Sequence, residues 1–346
     1  MKLEVRNLTK SFEGNQVLHG ISFEVESALG LLGRNGAGKT TTIRIIMDVF
    51  KADEGEVYLD DEPFNPKKHL IGYLPEERGL YPKKTVLEQI VYLTRLRGLS
   101  KKEAVNNAKK WLKRLEIDEY ANRKLETLSK GNQQKVQLAS TLACEPEIVI
   151  LDEPFSGLDP VNSKILQDVV TEVINEGRIV IFSSHQMSYV EEFCRDIAII
   201  DKGNIALAGN LKDIKRQYGE NQLVISDVNM GLDELSQIIK DNVSDIITET
   251  GRTREEIIVR NINGVSRADI LKRMIACGIE IEHFETYKPS LNDIFVSLVG
   301  DDIEDDKVVD YKNNSNDDNS YNRDNVDELP QGESSEHKKA VEGGVR

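Results

Sequence analysis

Three cysteines in 346 residues leave no disulfide framework. Cys144, Cys194 and Cys277 are scattered, odd in number and never form a C-x-x-C pair. Each sits in a mostly apolar helical context, which predicts buried thiols rather than ligands or nucleophiles and suits a reducing compartment. Also missing is any apolar run approaching the roughly 18 residues that span a bilayer. Met1-Lys2-Leu3-Glu4-Val5-Arg6 lacks the apolar core of a signal peptide. A membrane role is therefore expected to run through a partner. Basic surplus is absent as well. The net charge of −15 argues against binding nucleic acid or an anionic membrane by bulk charge. The charge is uneven: residues 301–346 carry 14 acidic and 6 basic side chains, net −8, which leaves −7 for the first 300. Leu, Ile, Val and Phe fill only 7 of those 46 positions, too few to offset ordering entropy, so the segment reads as a disordered tail. No internal repeat is visible.

What is present divides into two patterns. Leu3–Leu8, Ile21–Val25 and Gly55–Asp60 alternate apolar and polar residues, the period of half-exposed antiparallel strands. Leu29–Leu32, Ile148–Leu151 and Ile179–Phe182 are continuously apolar and alternate with helices, as parallel strands buried on both faces do. Between them lies a helical block. Thr85–Arg97 carries Val86, Ile90, Leu93 and Leu96. Ser100 and Glu103 make a capping box for a helix to about Leu115, and a third helix runs from about Asn132 to Cys144. From Gln222 the pattern shifts to a small α+β domain. Strands are expected at Leu223–Ile225, Ile246–Glu249, Ile257–Arg260 and Glu280–Phe284. Helices are expected near Leu232–Lys240 and Arg267–Cys277, with a last one opened by Pro289-Ser290.

Gly33-Arg34-Asn35-Gly36-Ala37-Gly38-Lys39-Thr40 fits G-x-x-x-x-G-K-[ST]. Glycines let backbone N–H groups turn inward around phosphate oxygens. Lys39 can reach the outer phosphates and the Thr40 hydroxyl can ligate Mg²⁺. The helix beginning near Thr41 points its positive end at the anion. Downstream, Ile148-Val149-Ile150-Leu151 ends in Asp152-Glu153-Pro154. Beside a phosphate loop, Asp152 would hold Mg²⁺, and Glu153 would polarise a water for in-line attack.

Leu128-Ser129-Lys130-Gly131-Asn132-Gln133-Gln134 resembles the signature motif of ATP-binding cassette proteins. In that motif Ser129 and the Gly131 N–H would grip a γ-phosphate at a helix N-terminus. Ser156-Gly157-Leu158-Asp159 resembles the loop that links the two sites of a dimer, and Ser183-Ser184-His185 supplies a switch histidine. Phe12 stands where the family stacks an aromatic on adenine, although a place in the core is the other reading. Glu76 takes the station where the family usually has Gln. The string from Tyr73 to Pro82 looks like the sodium-extrusion and related ABC-2 export branch. Lys130 replaces a glycine, Arg34 takes a common Pro position, and Val25–Gly30 is about two residues shorter than usual, which predicts strain in the strand.

The resemblance covers residues 1 to about 300. It implies a P-loop NTPase cassette of class α/β, with a RecA-like core, an antiparallel β subdomain and an inserted helical subdomain at about 76–144. The cassette would span 1–219 and the small α+β accessory domain 220–300. The implied activity is ATP hydrolysis with ATP and Mg²⁺, by Glu153 and His185, with Thr40, Glu76 and Asp152 toward the metal. The nucleotide would lie against Phe12, residues 33–41 including Thr41, and Ser129, Gly131 and Asp159. The implied partners are a second ATP-binding subunit, as a homodimer or pseudo-dimer, and a separate integral-membrane permease. This would place the chain in the cytoplasm on the inner face of the cell membrane and drive export of an ion, sodium among the candidates, or of a small molecule or drug. Two rivals stay open: a soluble cassette protein acting on ribosomes or DNA, and a regulatory module that binds nucleotide without hydrolysis. The absence of sustained heptads and of a basic patch opposes the first. Intact Lys39, Asp152, Glu153 and His185 oppose the second.

Overall fold

The computed structural model describes residues 1–299 apart from Arg78 and Asn263, so the expected acidic tail lies outside the described residues. Strands β1 (Leu3–Phe12), β2 (Asn15–Val25) and β3 (Ala28–Leu32) lead into α1 (Lys39–Ile46). Then come β4 (Glu54–Leu59), β5 (Glu62–Pro63), β6 (Ile71–Leu74), and the helices α2 (Val86–Leu96), α3 (Lys101–Arg114) and α4 (Lys130–Leu142). The chain continues through β7 (Ile148–Asp152), α5 (Pro160–Asn175), β8 (Ile179–Ser183), α6 (Met187–Phe193), β9 (Asp196–Asp201), β10 (Asn204–Asn210) and α7 (Leu211–Tyr218). It ends with β11 (Gln222–Asp227), α8 (Leu232–Asn242), β12 (Ile247–Arg252), β13 (Ile257–Asn261), α9 (Arg267–Ala276), β14 (Ile281–Thr286) and α10 (Leu291–Val299).

The central sheet has the order β10-β9-β3-β8-β7-β6. Its strands pair in parallel except for β10, which is an antiparallel edge. Every residue of β3, β7 and β8 is buried, as their unbroken apolar runs require. The two-residue period sorts their side chains between two cores. Leu29, Leu31, Ile148, Ile150, Ile179 and Ile181 face one cluster, shared with the antiparallel sheet β2-β1-β4-β5 and with α1. Ala28, Leu32, Val149, Leu151, Val180 and Phe182 face the other, beneath the helices. The short approach to the loop carries no strain. Glu26-Ser27 joins β2 to β3 with no left-handed backbone, and β3 stays in register with both neighbours because Val180 N–H still reaches Ser27 O at 2.7 Å.

In the helical block, capping boxes start α2 (Thr85 with Glu88) and α3 (Ser100 with Glu103). Trp111 of α3 is fully buried beside Leu112 and Leu115. The β11-to-β14 unit is a split βαβ arrangement, with antiparallel sheet order β12-β13-β11-β14 and its own core of Leu223, Ile225, Leu235, Ile239, Ile270 and Met274. The last helix does not belong to that core. Leu291, Ile294 and Val299 of α10 pack instead with Val190, Cys194, Leu211 and Ile214 in the core of the first 219 residues.

The cysteine expectation holds for two of three. Cys144 and Cys194 are buried, and burial pushes both thiols up. Cys277, the C-cap of α9, is only half-buried at the edge of the accessory core.

Candidate functional site

The loop between β3 and α1 is shaped by its glycines. Gly33, Gly36 and Gly38 have φ of 152°, 80° and 115°. A Cβ on Gly33 would stand 2.3 Å from the Ile200 carbonyl oxygen, and one on Gly38 would stand 2.6 Å from Leu18 Cδ2. Only glycine fits both the backbone and the space. Gly38 caps α1 without a side-chain hydrogen bond, and no acidic residue occupies the first turn. The first N–H groups of α1 are thus left open toward the loop, at the positive end of the helix. Lys39 Nζ folds back onto the loop, donating to Gly33 O at 2.6 Å and Arg34 O at 3.1 Å. Burial pushes its ammonium down from the ordinary lysine range, while Glu153, Asp152 and Glu76 pull it up.

A cavity of about 720 Å³ opens here, lined by Gly33, Arg34, Asn35, Gly36, Gly38, Lys39, Thr40, Thr41, Val17, Glu76, Asp152, Glu153 and His185. Ala37 does not line it, because its methyl is buried in the core below. A second cavity of about 520 Å³ shares Thr40, Glu76 and Asp152 with the first. Its walls include Tyr73 and Arg44, which the sequence did not nominate. Asp152 ends β7 opposite Ser183 and is 4 % exposed. Burial raises its carboxyl above the usual range, the Ser183 hydroxyl pulls the other way, and Glu76 and Glu153 add to the rise. Tyr73 beside it is pushed up to about 12, first by burial and then by the Asp152 charge.

Glu153 leaves the strand in left-handed backbone, φ 48°, with its N–H on Ser183 O at 2.9 Å. That turn swings its carboxylate to the segment after β8. There it accepts the His185 main-chain N–H at 2.7 Å, His185 Nδ1 at 2.8 Å and Ser184 Oγ at 3.3 Å. Ser184 was not singled out in the sequence, although its place beside His185 was the available signal. The buried Asp152 carboxylate, the Thr40 hydroxyl and the Glu76 carboxylate, which line both cavities, form a hard-oxygen donor set that suits Mg²⁺ shared with phosphate. No cluster of three His, Cys, Asp or Glu side chains among the described residues could hold a metal by itself.

Three expected residues lie elsewhere. Ser129 caps α4, accepting Asn132 N–H at 3.3 Å, and is exposed. Lys130 is the first residue of that helix, also exposed, and leaves the cap intact. Asp159 caps α5, accepting Val161 N–H at 3.1 Å and Asn162 N–H at 3.0 Å. Asn162 in turn covers Gly131, where a Cβ would stand 2.9 Å from its amide nitrogen. Ser129 and Asp159 are exposed, Gly131 is buried beneath Asn162 between them, and none of the three lines the loop cavity. Phe12 is 41 % exposed, set edge-on to Phe50 at 5.3 Å. It is outside the core, which removes the core reading, and outside the cavity wall, where the apolar residue is Val17.

The ABC transporter family model matches residues 18–156, and the model for the C-terminal domain of DrrA1-3-like ATP-binding proteins matches 209–299. The chain is 40 % identical over 301 residues to the ABC transporter ATP-binding protein YhaQ of Bacillus subtilis, across 86 % of this chain and 98 % of that one. It is 29 % identical over 312 residues to the linearmycin resistance ATP-binding protein LnrL of the same organism, across 88 % and 100 %. Among solved structures, it is similar to the dimeric bacterial ABC transporter cassette MJ0796. The TM-score is 0.55 at 26 % identity, over 60 % of this chain and 98 % of that one.

Proposed function

The chain belongs to the ATP-binding subunits of ABC transporters, and from that premise we propose that it hydrolyses ATP to drive export through a separate membrane permease. ATP hydrolysis follows from the family; the direction, the cargo and the residue roles are the proposal. The observation that carries it is the single cavity in which Lys39 faces Asp152 and Glu153, with Glu153 already gripped by His185 and Ser184.

In this reading residues 33–41 wrap the phosphates, and Lys39 exchanges the carbonyls of Gly33 and Arg34 for phosphate oxygens. Thr40, Asp152 and Glu76 hold Mg²⁺, which when bound neutralises charge on the phosphate oxygens. Glu153 takes a proton from the attacking water, and His185 keeps the carboxylate aimed while its own ring stays mostly exposed. Phe12 meets the adenine from outside the cavity. Ser129, Gly131 and Asp159 serve the site of a second copy, so that two chains enclose two nucleotides. Their absence from the walls of the loop cavity and the dimeric state of the similar cassette MJ0796 support this.

The cassette is assigned to 1–219 and the accessory domain to 220–300. Support for an ABC-2 exporter comes from the DrrA-like C-terminal match and from the Tyr73–Pro82 string. The name of LnrL ties that relative to linearmycin resistance. The cargo proposed here is a small molecule or drug, with sodium as the competing ion. No helix among the described residues is long and apolar enough to cross a membrane. Attachment to the inner face of the membrane is therefore proposed to run through the permease. Affinity capture of the intact chain should bring down one polytopic membrane protein. Deletion of the chain should sensitise cells to one drug class or to sodium. Recovery with ribosomes and no membrane protein would refute the export reading.

A further inference from the structure

The last described residue of the last helix touches the phosphate loop. Arg34, the residue that departs from the family pattern inside that loop, donates from Nη2 to the Val299 carbonyl at 2.8 Å. Val299 is the last described residue of α10, and its carbonyl lies on the side of the helix that meets the loop. The other end of α10 is tied down as well. The Leu291 N–H bonds the Glu191 carboxylate on α6, and Lys215 of α7 pairs with the same carboxylate at 3.2 Å. Between these ties, Leu291, Ile294 and Val299 are buried in the core of the cassette, with Phe295 and Leu298 packed against it. α6 follows directly on His185, which grips Glu153. The backbone of Arg34 closes the circuit: its carbonyl oxygen accepts Lys39 Nζ at 3.1 Å.

We propose that α10 is a strap joining the two halves of the catalytic cavity, with Arg34 as the positioning residue through which it holds the phosphate loop ready for nucleotide. The proposal rests on reading residues 33–40 as the phosphate loop of an ATPase. One residue links both events: its carbonyl releases Lys39 when phosphate arrives, and its guanidinium stays on α10. A loop held in shape before ligand arrives binds it more tightly, and by reciprocity nucleotide must tighten the hold on α10 by the same factor. A side chain without a donor at position 34 cannot make the bond.

The test uses the full chain with Mg-ATP and reads nucleotide affinity, steady-state kinetics and amide hydrogen exchange across 291–299. In the wild type, saturating nucleotide should slow exchange in the last turn of α10 by roughly fivefold or more, while α8 in the accessory core stays unchanged. Arg34→Ala should raise Kd and KM for ATP by the same factor, shift kcat by much less, and abolish the response of α10. Arg34→Lys should restore most of both. Wild-type protein that binds ATP with no change in α10 exchange overturns the strap alone, and this holds even if Arg34→Ala does not fold. Wild-type protein that fails to bind ATP overturns the reading of the loop and the strap together. An Arg34→Ala variant that keeps both affinity and the α10 response also overturns the strap.

Discussion

Exchanging Glu153 for Gln swaps one carboxylate oxygen for an amide of nearly the same shape. The donors around it are the His185 main-chain N–H at 2.7 Å, His185 Nδ1 at 2.8 Å and Ser184 Oγ at 3.3 Å. The glutamine oxygen can keep the His185 N–H, and its new NH₂ can give to Ser184 Oγ, which already accepts from Gln186 N–H at 3.0 Å. The fold and the loop are therefore preserved. What is lost is the charge that takes a proton from water. A positioned base contributes about 10²–10⁴ in rate. At about 1.4 kcal/mol per factor of ten, that adds roughly 2.7–5.5 kcal/mol to the barrier. Removing a negative charge beside the γ-phosphate also removes repulsion, so ATP affinity should hold or tighten. Phosphate release in a single turnover with Mg²⁺, beside a separate binding titration, measures both. Release within about threefold of wild type would refute the assignment of the base.

Three other expectations follow from burial and backbone. The raised carboxyl of Asp152 means that the folded state holds its proton more tightly than the unfolded chain does. Its stabilising share is complete below the ordinary carboxylate value and is lost as pH rises through the raised one. Asp152→Asn should therefore melt higher than wild type near neutral pH without nucleotide, lose that advantage in acid, and lose Mg²⁺-dependent turnover; equal melting at neutral pH contradicts this. Gly33→Ala meets the Ile200 carbonyl at 2.3 Å in left-handed backbone. It should cost about 1–3 kcal/mol and lower the melting temperature by several degrees together with nucleotide affinity. Trp111→Ala empties the centre of the helical block and should cost about 3–5 kcal/mol in a denaturant titration. A loss under about 1 kcal/mol would mean that the block is not packed as described.

The site was legible where chemistry dictates spacing. Residues 33–41, Asp152, Glu153 and His185 sit far apart in sequence, yet each lies at or just past the C-terminal end of a buried parallel strand, so the sheet delivers them, Ala37 excepted, to one edge. The strands read from unbroken apolar runs are also there. Three strands of the same sheet, β6, β9 and the edge strand β10, escaped notice. In β6, Gly72 interrupts the pattern because a Cβ would stand 2.8 Å from Pro146 Cγ and from Thr141 O. In β9, Ile197–Ile200 carries the same signature as its neighbours but follows no motif that draws the eye. The place of α10 was illegible for a different reason. Its apolar stripe says that it is buried, and nothing in the stripe says against which core. The expected strain before the loop was a length comparison, and length alone does not reveal a two-residue turn that keeps β3 in register.

The most direct test of a site shared between two chains is complementation. Lys39→Ala disables the phosphate loop and Gly131→Asp disables the opposing surface, so each protein alone should hydrolyse almost no ATP. Mixed in equal amounts, they should form heterodimers that rebuild one complete site each, returning up to roughly a quarter of the wild-type sites. Measured ATPase that stays at the level of the separate variants would contradict the account, since it would mean that each chain encloses its nucleotide alone.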